Sequence, residues 1–156
     1  MLELGRMTTL WGSLEAGLAF NVEKLAGFDC AKDARGLILI AHANFQQRLH
    51  MLSSLCIQLE PEHPHLAKYG GVVKKIEFAQ KARNKYSHNS VYFNDETGQM
   101  NTSSFSSRGQ LKLNIEVVEM QHIQEASAKI HEAICALHTL VTQVETMPMW
   151  DRADKS

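Results

Sequence analysis

Cysteine and proline are scarce in this sequence, with three of each among 156 residues. Cys30, Cys56 and Cys135 are odd in number and scattered, in a chain long enough to build its own core. This argues against a disulfide scaffold and predicts a reducing, cytoplasmic location. An excess of one charge is also lacking: 16 Lys and Arg stand against 17 Asp and Glu, a net charge of −1. A disordered polyelectrolyte and a strongly basic, histone-like binder are both excluded. No apolar run approaches the roughly 18 residues of a membrane-spanning helix, so no membrane association is expected. The segment from Met1 to Met7 carries its charges inside an amphipathic pattern. It lacks the charged-then-apolar order of a signal peptide. A P-loop, a GxGxxG and a Gly-x-Ser-x-Gly are all missing, which leaves nucleotide hydrolysis and α/β-hydrolase chemistry without support. What is present is an ordinary globular composition, 44% hydrophobic and 21% charged, and about one domain of chain.

The apolar residues carry a helical period. Leu4, Met7, Trp11, Leu14, Leu18, Val22 and Leu25 recur every three or four positions and predict a helix over about 2–26, with Gly27 at its C-cap. Ile38, Phe45, Leu49, Leu52, Cys56 and Leu59 predict a second helix over about 31–59, stopped by Pro61 and Pro64. A third helix is predicted from about Gly71 to His88, with a short lead-in from Leu66; Val72, Val73, Ile76 and Ala79 are its apolar positions. The pattern then changes. Val91-Tyr92-Phe93 leads to the turn signal Asn94-Asp95-Glu96-Thr97-Gly98, and Arg108-Gly109 marks a second turn. Leu111, Leu113, Ile115 and Val117 alternate with polar residues, which is a strand period. Ile123, Ile130, Ile134, Leu137, Val141 and Val144 predict a last helix over about 119–146, ended by Pro148. The expected fold is mainly α, a four-to-five-helix up-down bundle with a small antiparallel β-hairpin insertion, of two or three strands, before the last helix. Residues 1–148 form one helical domain in this reading, 90–118 the insertion, and 149–156 a flexible tail.

Chemistry concentrates on the third helix. Lys74, Lys75, Lys81, Arg83 and Lys85 stand against the single acid Glu77, a local +4 in a chain whose total is −1. A solvated helix face is the bland account of such a run; a polyanion-facing patch is the functional one. The patch leads into Arg83-Asn84-Lys85-Tyr86-Ser87-His88. Asn84 and His88 are four apart and share a helix face, whereas Arg83 lies about 140° round from His88. The trio cannot close into a tight triad on one straight helix, but it can line a groove. A groove at a symmetric dimer contact would hold two copies. Histidine can take the proton of a ribose 2′-hydroxyl or donate one to the leaving 5′-oxygen. Arginine can hold the scissile phosphate and stabilise its growing charge, and asparagine can orient phosphate, sugar or imidazole.

The segment resembles the HEPN superfamily, helical bundles with an Arg-x4–6-His signature near the end of the third main helix, often with a polar residue after the Arg. Arg83, Asn84 and His88 match it at x4 spacing, and Trp11-Gly-Ser-Leu-Glu15 is similar to a first-helix pattern of bacterial relatives. The resemblance covers the architecture of most of the chain but only about six residues of motif. It implies a metal-independent, cofactor-free endoribonuclease acting as a homodimer on RNA, with the motif of both copies in one cleft. A toxin or defence role, with an antitoxin or regulatory protein as a further partner, is implied with it. His88 would be the acid/base residue, Arg83 the phosphate ligand and Asn84 an orienting group. Lys81, Lys85 and Tyr92 would bind substrate, and Glu15 would support Arg83. Where some HEPN toxins carry a Tyr two residues after the His, this chain has Ser90, with Tyr92 two further on. Regulation by modification of that Tyr, and the antitoxin tied to it, therefore lose their support. Other family members are scaffolds or nucleotide-binding modules, and a non-catalytic dimeric bundle that binds nucleotide or RNA is the alternative here.

Metal chemistry has a weaker claim. Glu60, Glu62, His63 and His65 crowd one short loop, and the Cys form no Cys-x2-Cys pair. His131 and His138, seven apart, share a face of the last helix as surface or groove residues. Cys56 and Cys135 read as core, and Cys30 has no neighbouring base to activate it.

Overall fold

The structure, a computed structural model, describes residues 2–29, 32–87, 89–106 and 112–148. Cys30, His88, the Arg108-Gly109 turn and the 149–156 tail lie outside the described residues. Helices α1 (Leu2–Leu25), α2 (Ala34–Ile40) and α3 (Phe45–Leu59) come first. A 3-10 turn (Pro64–Lys68) then runs into α4 (Tyr69–Ser87). Strands β1 (Ser90–Asn94), β2 (Gln99–Ser106) and β3 (Lys112–Val117) precede the last helix, α5 (Met120–Thr142). The chain is thus mainly helical, a bundle with a three-stranded antiparallel sheet inserted before its final helix, as the sequence predicts.

The core is built from the predicted stripes. Met7, Trp11, Leu14, Leu18 and Val22 of α1 meet Ile123, Ile130, Leu137 and Leu140 of α5. Leu49, Leu52 and Cys56 of α3 and Val72, Ile76, Ala79 and Tyr86 of α4 close the cluster. Each buried aliphatic side chain contributes about 1.5–3 kcal/mol relative to exposure, so the stripes outweigh any single polar contact.

Three expectations need correction. The second helix is not continuous. It breaks after Ile40, and α3 starts afresh at a capping box: Asn44 Oδ1 accepts from Gln47 N at 2.9 Å, and Gln47 Oε1 accepts from Asn44 N at 2.8 Å. Two backbone donors find partners at once, which favours a helix start over propagation. Ile38 is consequently not on the core stripe but 67% exposed, and Gly36 and Ile40 are the buried residues of α2. Next, α4 begins at Tyr69 rather than at about Gly71, with Gly70 and Gly71 inside its first turn. The preceding 3-10 turn, opened by Pro64, already winds the chain, and a first turn needs few internal hydrogen bonds. Last, α5 stops at Thr142, short of Pro148, because Gln143 turns left-handed at φ 59°. Its N–H donates to Thr139 O at 2.9 Å, which closes the helix.

The sheet has the order β1-β2-β3. The first turn forms where the sequence signals it. Asn94 Oδ1 accepts from Glu96 N at 3.0 Å and Thr97 N at 3.3 Å, and Gly98 supplies φ 67°. Register sets two faces. Val91, Thr102 and Glu116 align on one, Tyr92, Asn101 and Val117 on the other. The Glu116 face turns to the bundle: Thr102 is buried, Met100 packs on the core, and Glu116 Oε2 lies 2.8 Å from Lys85 Nζ of α4. The opposite face leaves Tyr92, Leu113, Ile115 and Val117 exposed although Asn101 is buried on it, and Phe93 is exposed on the Glu116 face.

Candidate functional site

The inward stripe of α4 runs Val72, Ile76, Ala79, Arg83, Tyr86, alternating four and three residues apart. Arg83 therefore occupies a place where an apolar side chain would complete the core. It stays half-buried because α1 offers it an aromatic face. The Arg83 guanidinium carbon lies 5.1 Å from the centroid of the Trp11 ring, a cation–π arrangement. Trp11 packs in turn on Phe45 at the start of α3, with ring centroids 4.7 Å apart. The indole N–H of Trp11 is buried and finds no acceptor among the described residues. Arg83 Nη1 also donates to Asn84 Oδ1 at 3.1 Å. Three helices thus fix the position of one guanidinium.

Asn84 opens onto a groove of about 330 Å³, lined also by Gln46 of α3 and by Lys74, Glu77, Phe78 and Lys81 of α4. Lys74, Phe78 and Lys81 recur on one helix face at i, i+4 and i+7. Phe78 is 62% exposed, an apolar ring left in water between two lysines. Positive charge with an exposed aromatic is what a single-stranded nucleic acid needs: ammonium groups for phosphates and a ring for base stacking.

The predicted residues divide. Asn84 and Lys81 line this groove, and Arg83 is tied to it through its hydrogen bond to Asn84. Lys85 points away from it, to the sheet, and its ammonium is held above the usual lysine range by the hydrogen bond to Glu116. The Glu116 carboxyl is held below its usual range by Lys85 and then by Asn114. The Lys85 charge is therefore largely answered within the fold. Tyr92 stands on β1, on the sheet face turned from the bundle. Glu15 is half-buried one turn beyond Trp11 and makes no ion pair or hydrogen bond to Arg83. His88 follows Ser87, the last residue of α4, and lies outside the described residues. Phe78 and Gln46 escaped the sequence reading. Phe78 had a signal, being an aromatic between basic residues at helical spacing; Gln46 had none, since it arrives from another helix.

The other histidines and cysteines have ordinary surroundings. His63 and His65 stack edge to face at 5.9 Å. Among the described residues no three His, Cys, Asp or Glu side chains gather as a metal site would require. His131 is buried next to Cys135, Nε2 to Sγ 3.9 Å, and burial pushes the Cys56 thiol up to about 11. No described helix is long and apolar enough to cross a membrane. Set against protein-family models, curated proteins and solved structures, the chain matches none of them.

Proposed function

We propose that the protein is a metal-independent endoribonuclease of HEPN type, working as a homodimer whose cleft carries the Arg83–His88 motif of both copies. The observation that carries this reading is Arg83: a guanidinium seated on the Trp11 ring and oriented by Asn84, at the edge of a groove with Lys74, Lys81 and an exposed Phe78. RNA enters along the lysines and stacks on Phe78. His88 takes the 2′-hydroxyl proton, the 2′-oxygen attacks phosphorus, and Arg83 stabilises the charge gathering on the phosphoryl oxygens. The 5′-oxygen leaves as a hydroxyl after receiving a proton, and the other product ends in a 2′,3′-cyclic phosphate. DNA has no such nucleophile and is not cut.

RNA cleavage in EDTA tests the proposal. The wild type should cleave and leave cyclic phosphate ends. His88→Ala should lose about a hundredfold or more of the rate while its thermal melt is unchanged. Arg83→Lys should also lose most activity, because an ammonium cannot replace a planar, bidentate donor. Binding of an uncleavable RNA should weaken steeply with salt, since phosphate contacts release counterions. Equal cleavage by wild type and His88→Ala, or binding indifferent to salt, would remove this assignment. A second reading is binding without cleavage. The Lys85–Glu116 pair favours it, because one cation of the motif segment serves the fold instead of a substrate. Salt-sensitive RNA binding with no cleavage would select it.

A further inference from the structure

A concavity of about 710 Å³ lies at the other end of the α4–α5 pair. That is the size of an ordinary small-molecule site. Lys75, on its wall, is eight residues from Arg83, about 12 Å along the helix. The floor is apolar, made by Val72 of α4 and Ala136 and Leu140 of α5. The walls carry two lysines, Lys68 and Lys75, with His65 beside them, and two acids, Glu132 and Glu145. Neither the lysines nor the acids form an ion pair with another described residue, although both signs share one concavity. Opposite charges held apart around an apolar floor complement a molecule that carries both charges and an apolar body. A plain anion would meet the acids, and a plain cation the bases.

The rim supplies an independent observation. Gln143 lines the cavity and is the one non-glycine residue with positive φ among the described residues. Glycine closes a helix in that conformation without strain. Strain retained at such a place points to a use for the side chain, and the Gln143 amide can both donate and accept. The segment after it is pinned back on α5. Thr146 N donates to Thr139 Oγ1 at 3.2 Å, and Thr146 Oγ1 lies 2.9 Å from His138 Nδ1. This fold-back makes the wall that carries Glu145.

We propose that this cavity is a binding site for a small zwitterion with an apolar side chain, the chemistry of a free α-amino acid. Lys68 and Lys75 receive the carboxylate, Glu132 and Glu145 the ammonium group, and Gln143 hydrogen-bonds at the rim. Val72 and Leu140 take the side chain. The site is separate from the Arg83 groove and does not depend on the ribonuclease reading.

The test is titration of the full chain with L-phenylalanine and L-leucine, followed by calorimetry and by amide chemical shifts. Saturable binding of at least one is expected, with Kd about 1 mM or tighter. The shifts should fall on the 3-10 turn, the first half of α4 and the last half of α5. For phenylalanine the controls are hydrocinnamate, which lacks the ammonium group, and phenethylamine, which lacks the carboxylate. For leucine they are isocaproate and isoamylamine. Each should bind at least about tenfold more weakly than its parent. Gln143→Gly separates a ligand role from a structural one: it should raise the melting temperature by relieving strain and weaken binding about fivefold or more. No saturable shift with either amino acid overturns the proposal. So does a control that binds as tightly as its parent, or a Gln143→Gly variant that binds like wild type.

Discussion

Cys56 and Arg83 both stand on inward stripes, and the folded chain accommodates them in different ways. Cys56 has no exposed surface, so the interior disfavours its thiolate, and the thiol is pushed up from 9.0 to about 11. Its contribution to stability is therefore whole below pH 9.0 and is lost as the pH rises from there through about 11. In that interval the unfolded chain ionises first. The loss should be on the order of 2 kcal/mol. Urea melts of wild type and Cys56→Ala across that interval check this, and the wild type should lose the larger share of its stability. Arg83 is accommodated by contacts. The fold stacks the guanidinium on an indole and hydrogen-bonds it to Asn84. Its adjacency to Asn84 was legible in the sequence, because consecutive residues stay together whatever the fold. The Trp11 partner was not, since that meeting depends on how α1 lies against α4.

Among the elements, the inserted sheet hangs on few contacts. One of them is the 2.8 Å pair between Lys85 of α4 and Glu116 of β3. Both partners are nearly half exposed, so the pair matters more for docking the sheet than for global stability. The Glu116 carboxyl is held below its usual range, so the anchor is intact above that range and is lost as the pH falls through it. Glu116→Gln should speed hydrogen exchange of the β1–β3 amides while leaving α1 and α5 protected, and acid should do the same to wild type. Uniform exchange changes across sheet and bundle would contradict a local anchor. Element boundaries also show where sequence reading stops. The stripes of α1 and α5 could be read directly, because a long periodic face has one way to bury itself. The break between α2 and α3 was hidden, since Ile38 and Phe45 stand seven apart and mimic an unbroken stripe. Its signal was the polar pair Asn44 and Gln47, which acts through two hydrogen bonds rather than through hydropathy. The end of α5 at Gln143 was illegible for a different reason: glutamine carries no preference for a left-handed turn.

At the scale of the whole molecule, a near-neutral chain places both signs of charge side by side, in the α4–α5 cavity and in the Lys85–Glu116 pair. The bundle with its inserted sheet followed from periodicity, yet the Arg83 groove needed the distance between helices, which no single helix encodes. The same holds for the sheet. The alternation of β3 marked a strand, but both of its faces stay largely open: Leu113, Ile115 and Val117 are exposed on one, and Glu116, though it reaches Lys85, is nearly half exposed on the other. Leu113, Ile115 and Val117 are each about half exposed, on a strand that pairs with β2 along one edge. A greasy, half-paired ribbon of this kind is a template for unwanted strand addition. It sets a colloidal limit on the protein that has nothing to do with its chemistry. Concentrated samples should scatter light increasingly with time. Ile115→Lys should suppress that scattering and leave the melting temperature within a few degrees of wild type, because a lysine on an open strand face acts as a gatekeeper.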